Sequence, residues 1–122
     1  MNIAVLVSGG GTNLQALIDY EKQNPQCPYK IRIVISSTKN AYALERAESA
    51  GIKTSVKSPY AVLGKDQAQN ADRDTKRIAV SDAILELCKA EKIDAIVLAG
   101  YLSVLVGKII EEYSGKILNL HP

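Results

Sequence analysis

Two short stretches of the chain could do chemistry. In "KILNLHP" (116–122), Asn119 and His121 stand at positions i and i+2, and His121 is the only histidine. On a strand, side chains with that spacing point to the same side. A carboxamide can donate to a carbonyl oxygen while an imidazole beside it donates or carries a proton. Such a pair suits acyl or formyl transfer, where a tetrahedral oxyanion is stabilised and a proton is moved. A histidine at a strand end can equally serve a structural purpose.

The second stretch is "SGGGTN" (8–13). Gly9, Gly10 and Gly11 allow positive φ and a close approach of backbone to ligand. A helix starting after them would present unpaired N–H groups and the positive end of its dipole, which suits a phosphate. Thr12 and Asn13 either add side-chain donors or cap that helix. No Lys-Ser/Thr pair follows, so this is not a Walker loop. Leu14 stands where the third glycine of a dinucleotide fingerprint belongs. A tight turn without a ligand is the competing reading; a phosphate site for a small molecule is preferred.

The elements that must hold these residues alternate between strand and helix. "NIAVLVS" (2–8) is apolar at consecutive positions, as expected of a parallel strand buried on both faces. Leu14, Leu17 and Ile18 give 12–23 a helical face, and Pro25 and Pro28 end it. A second strand is predicted over 30–37. A helix is predicted over 40–51, with Asn40 as its N-cap and Gly51 as its stop. A short third strand fits 52–57. The polar stretch 58–74 reads mostly as a loop.

A long helix over about 73–91 turns Ile78, Ile84, Leu85, Leu87 and Cys88 toward the core. A fourth strand follows at 93–100, a short helix falls within 103–115, and "KILNL" forms a fifth strand. The apolar residues of "ILNL" lie on both faces, as in an interior strand. The fold class is therefore α/β, an open and mainly parallel Rossmann-like sheet with helices on both faces and right-handed crossovers. In such sheets ligands collect at the carboxyl ends of the strands. "SGGGTN", "AGYLSVL" and "NLHP" all fall there.

With 122 residues, 47% of them apolar, the chain reads as one domain or most of one. A net charge of +2 calls for neither nucleic acid nor an anionic membrane, and without Trp or Phe no base-stacking platform is expected. The apolar run at 95–106 is too short to span a bilayer, and the first residues lack a basic leader region. Cys27 and Cys88 are far apart, with no histidine nearby. They read as reduced structural cysteines of a cytoplasmic protein, and no metal site is expected.

"MNIAVLVSGGGTNLQALID", "ALERAESAGI", "IDAIVLAGYLSVL" and "GKILNLHP", in that order, resemble the phosphoribosylglycinamide formyltransferase family of purine synthesis. The resemblance covers almost the whole chain but only about the first half of the family's length. It implies two small-molecule substrates, glycinamide ribonucleotide and 10-formyltetrahydrofolate. It further implies that Gly11, Thr12 and Asn13 hold the ribonucleotide phosphate. Leu102, Ser103, Val104 and Leu105 would line the folate pocket, largely through backbone and apolar contacts. By the same resemblance Arg77, counted back from "IDAIVLAG", would be the basic folate contact. Asn119 would bind the formyl oxygen and contact the folate, with His121 as the catalytic acid/base.

Three features depart from the family pattern. The family continues past the proline with Ser-Leu-Leu-Pro and a later aspartate that sets the histidine's pKa, so residues 1–122 read as a domain incomplete at its C-terminus. Ser103 stands where some relatives carry arginine, and 58–74 is longer than in the shorter bacterial forms. Glu45 and Arg46 recur in the family pattern and read as surface or packing residues. Methionyl-tRNA formyltransferase and formyltetrahydrofolate hydrolase are related alternatives. A non-catalytic module that binds a phosphate ligand is the alternative from another class.

Overall fold

Five consecutive buried residues, Ile3 to Val7, form the middle of the first strand, β1 (Asn2–Val7). Such a run is stable only between two neighbouring strands and beneath cover on both faces. The structure, a computed structural model, describes residues 1–120 and supplies both. After β1 come α1 (Thr12–Gln23), β2 (Lys30–Ser36), α2 (Tyr42–Ser49), β3 (Lys53–Val56), α3 (Pro59–Leu63) and α4 (Lys65–Asn70). The chain then forms α5 (Arg73–Ala90), β4 (Ala95–Ala99), α6 (Lys108–Glu112) and β5 (Ile117–Leu120).

The strands are all parallel, in the order β3-β2-β1-β4-β5. The chain builds outward from β1 through β2 to β3, then returns to β1's other side with β4. Strand order thus reverses at β1, and the loops after β1 and β4 part there to open a crevice.

Leu14 and Ile18 of α1 and Ala43 and Ala47 of α2 pack on one face with Ile3, Val5 and Val7. Val80, Ile84, Leu85 and Cys88 of α5 and Ile109 of α6 pack on the other with Ala4 and Leu6. Each fully buried aliphatic side chain contributes about 1.5–3 kcal/mol. The ion pairs Lys53–Glu91 and Lys89–Glu112 keep most of their lysine surface exposed, and pairs of that kind contribute about 0–1 kcal/mol. The two apolar layers therefore hold the sheet.

Three expectations need correcting. The stretch 58–74 carries α3 and α4: the Ser58 hydroxyl accepts from Ala61 N–H at 3.1 Å, Pro59 stands at the first helical position, and Gly64 separates the two helices. Only Ala68 of the two is buried, so no apolar period announces them. The N-cap of α2 is Ala41, not Asn40, and no side chain caps it. Its Ala43 N–H goes to the Gly9 carbonyl at 3.0 Å instead. Ile78 is 49% exposed. A crossover helix runs opposite to the strands, so Ile78 sits in the first turns of α5, out at their carboxyl edge.

Other boundaries agree with the sequence reading, including the stop of α2 at Gly51 (φ 75°) and the start of α5, where Asp72 accepts from Thr75 N–H at 2.7 Å. Among the described residues β5 lies at the sheet edge. Leu118 is 59% exposed there and borders an apolar groove of about 590 Å³ with Leu17, Tyr29 and Leu120. Among the described residues that groove shares none with the glycine loop or the Arg77 cavity described below.

Both cysteines are free, as expected of reduced structural thiols. Burial pushes the Cys88 thiol from 9.0 up to about 12. An unfolded thiol releases its proton near pH 9 and the folded one does not. This contribution to stability is therefore complete below pH 9 and lost as pH climbs toward 12. Tyr29, raised to about 12 chiefly by burial, acts in the same direction. The denaturant midpoint is expected to fall above pH 9, and to fall less in Cys88→Ala. In the native protein at neutral pH, a thiol reagent should label Cys27 and spare Cys88 until unfolding.

Candidate functional site

The glycine loop lies at the carboxyl end of β1, and only Gly11 of its three glycines uses positive φ (81°). A Cβ built on Gly11 would stand 2.7 Å from Ala43 Cβ and 2.8 Å from Ala43 Cα. No side chain is small enough for that gap, so Gly11 lets α1 and α2 meet at their N-termini. Gly9 and Gly10 have open space about them, and their expected positive φ is not found. Gly11 is the N-cap of α1, its carbonyl accepting from Gln15 N–H at 2.8 Å.

Thr12 and Asn13 open α1, Thr12 exposed and Asn13 half-buried, and neither caps the helix. The first-turn N–H groups and the positive end of a 12-residue helix dipole therefore face out of the loop without a capping side chain. This arrangement can hold an anion. Arg46, read from sequence as surface or packing, touches the loop directly: its Nε donates to the Gly10 carbonyl at 2.7 Å.

Across the crevice, residues 101–106 leave β4 without regular structure. Two serines pin them. Leu102 N–H donates to Ser8 Oγ at 2.8 Å, and Val106 N–H donates to the buried Ser81 Oγ of α5 at 3.0 Å. Ser8 Oγ also shares a hydrogen bond with Ser37 Oγ beyond β2. One hydroxyl thus ties together the ends of β1, β2 and β4. A serine within a glycine loop looks like loop chemistry in the sequence, and nothing there marks a contact 94 residues away.

Arg77 lies on α5, opposite this segment. With Leu102, Ser103 and Val104 it lines a cavity of about 290 Å³ that Ser37, Lys57, Lys76 and Val80 help to close. Three cations and several apolar groups therefore line one space, which suits an anionic, partly apolar ligand. Lys57 and Lys76 had no signal in the sequence beyond their charge. Leu105 does not reach this cavity: it is half-buried against the core layer of α5. Tyr101 packs on the same layer, its hydroxyl buried without a partner among the described residues. Burial raises its pKa.

Asn119 is exposed on β5, in register with Leu98 of β4. Alternation along β5 puts it on the same face as Ile117, which packs against the α5 layer, whereas Leu120 packs against the α1 layer. Asn119 and Arg77 thus belong to the same side of the sheet. His121 lies outside the described residues. Among the described residues no three His, Cys, Asp or Glu side chains group as metal ligands.

An open parallel sheet whose order reverses at β1, with a glycine loop and a cation-lined cavity flanking the reversal, defines a Rossmann-like α/β protein with its crevice where such sheets collect ligands. The comparisons make the class specific: the formyl transferase family model matches residues 1–122, and the chain belongs to that family. It is 43% identical over 121 residues to phosphoribosylglycinamide formyltransferase of Haemophilus influenzae, covering 98% of this chain and 50% of that protein. It is 40% identical to phosphoribosylglycinamide formyltransferase of Dictyostelium discoideum, covering 99% of this chain and 59% of that one. The crystal structure of glycinamide ribonucleotide transformylase 1 from Symbiobacterium toebii superposes with a TM-score of 0.83 at 34% identity, covering 100% of this chain and 51% of that one. The chain thus spans about half the length of the relatives it matches.

Gly11→Ala should destabilise the fold by at least roughly 2 kcal/mol, from the left-handed φ and the collision with Ala43; denaturant titration measures it. Hydrogen exchange reads the two serine pins separately. Ser8→Ala should speed exchange at the Leu102 amide, and Ser81→Ala at the Val106 amide.

Proposed function

We propose that the protein transfers the formyl group of 10-formyltetrahydrofolate to the amine of glycinamide ribonucleotide, in purine synthesis. The observation that carries this reading is the pairing of the glycine loop with the Arg77 cavity, tied across the β1–β4 reversal by Ser8. One half offers N–H groups to a phosphate and the other offers cations and apolar surface to a folate. The names of the relatives point to glycinamide ribonucleotide as the acceptor, the chain's membership of the formyl transferase family supports the reaction class, and the folate donor follows from the family resemblance.

In this reading Gly11, Thr12 and Asn13 hold the ribonucleotide phosphate. Arg77, Leu102, Ser103 and Val104 take the folate, and Leu105 supports that segment from beneath. The substrate amine attacks the formyl carbon and a new C–N bond forms. Asn119 and protonated His121 stabilise the oxyanion. The bond to the folate nitrogen then breaks as His121 gives its proton to that departing nitrogen, and the neutral imidazole takes up the proton that the amine sheds. Holding the two substrates in line could supply roughly 7–11 kcal/mol of the barrier. The reading uses no metal and sets the reaction in the cytoplasm. Among the described residues no helix is long and apolar enough to cross a membrane.

Formyl transfer between these substrates, assayed with the full chain, tests the reading. Asn119→Ala should lower kcat roughly 100- to 1000-fold, as the loss of one oxyanion donor does, and His121→Ala should do at least as much. A wild type that makes no formylated product, or variants that match it, would overturn the proposal.

A further inference from the structure

We propose that Arg46 is a positioning residue of the glycine loop: from α2 it sets the direction of the Gly11 N–H toward the substrate phosphate. The inference rests on the reading of Gly11, Thr12 and Asn13 as the phosphate site, and it adds a residue from a different element.

A trans peptide unit points its carbonyl and its N–H in opposite directions. The Gly9 carbonyl accepts from Ala43 N–H at 3.0 Å, and the Gly10 carbonyl accepts from Arg46 Nε at 2.7 Å. Both donors belong to α2, so two successive carbonyls are drawn toward that helix. The N–H groups of the same two peptide units, those of Gly10 and Gly11, must then face away from it. Successive N–H groups aimed the same way make a concavity for an anion. Open space surrounds a Cβ placed on Gly9 or Gly10, so no side-chain packing at these positions fixes the arrangement. Glycine peptide planes turn freely, so the hydrogen bonds must hold them.

Arg46 is itself held on two sides. Its Nη1 donates to Gln15 Oε1 of α1 at 3.2 Å, and its guanidinium lies 5.0 Å from the centre of the Tyr42 ring. A planar fork can serve the Gly10 carbonyl and Gln15 together, while a lysine ammonium is a point charge on a flexible stem and cannot reproduce that geometry. A bond from a charged donor is also stronger than one between neutral groups. This separates direction from charge: Arg46→Lys keeps the charge and loses the fork.

The experiment compares kcat/KM for glycinamide ribonucleotide with kcat/KM for the dephosphorylated ribonucleoside, in the full chain and in its Arg46→Met and Arg46→Lys variants. The wild-type preference for the phosphorylated substrate should fall roughly tenfold in both variants. Were Arg46 merely a structural contact between α1 and α2, both substrates would suffer alike and the ratio would hold, which overturns the proposal. Full recovery of the ratio in Arg46→Lys overturns it too, by leaving charge as the sole contribution. Arg46→Lys also keeps the test readable should Arg46→Met lose stability. A wild type that makes formylated product from both substrates without preferring the ribonucleotide would refute the phosphate site, and the inference with it. Arg46 variants that lose the preference only in part, with Arg46→Lys no better than Arg46→Met, support it.

Discussion

The burial of β1 on every side governs the rest of this structure. Residues Ile3 to Val7 have neighbours in β2 and β4 and helices above and below. With both of its edges paired, the chain must leave β1 toward one side and come back on the other. The helices then divide between the faces, α1 and α2 on one and α5 and α6 on the other. The crevice at the carboxyl end of β1 follows from that reversal. It exists because the loops after β1 and β4 go to opposite faces, whatever residues they carry.

What the crevice can do depends on much weaker and more directional contacts. The apolar layers place α1, α2 and α5 around the opening without specifying the loops between them. Those loops are set by hydroxyls and one guanidinium: Ser8 to Leu102, Ser81 to Val106, and Arg46 to Gly10. Each net contribution is small, about 0.5–1.5 kcal/mol for the two serine bonds and about 1.5–3 kcal/mol for the bond from the charged guanidinium. Each nevertheless decides where a backbone group points, and pointing is what a phosphate or folate site requires. The close approach of Gly11 to Ala43 belongs to the same logic. A missing Cβ admits the second helix, and that helix brings the groups that orient the loop.

Much of this was legible in the sequence where one residue's surroundings are one-dimensional. Continuous apolar runs marked the buried parallel strands, and the Leu14-Leu17-Ile18 period marked α1. The glycine loop and the Asn-x-His-Pro end were legible as chemistry, and the order of motifs led to the formyl transferase family. The failures have a common cause. The α3–α4 stretch was missed because its helices bury almost nothing, leaving caps as their only signal. Asn40 looked like a cap because the true partner of the helix start, the Gly9 carbonyl, is distant in sequence. Ile78 looked buried because periodicity tells which face of a helix is apolar but not how far the sheet extends beneath it.

The sequence by itself determined the alternation of strand and helix, the sheet's parallel character and the residue types available for a site. These depend on local backbone sterics and on apolar spacing, which neighbouring letters carry. The tertiary structure alone decided that Ser8 would hold Leu102, that Arg46 would hold Gly10, and that Lys57 and Lys76 would share a cavity with Arg77. It also separated Leu105 from that cavity, although it stands next to Val104. Hydrogen bonds act over about 3 Å, and which atoms come that close is settled only once the sheet has closed around β1.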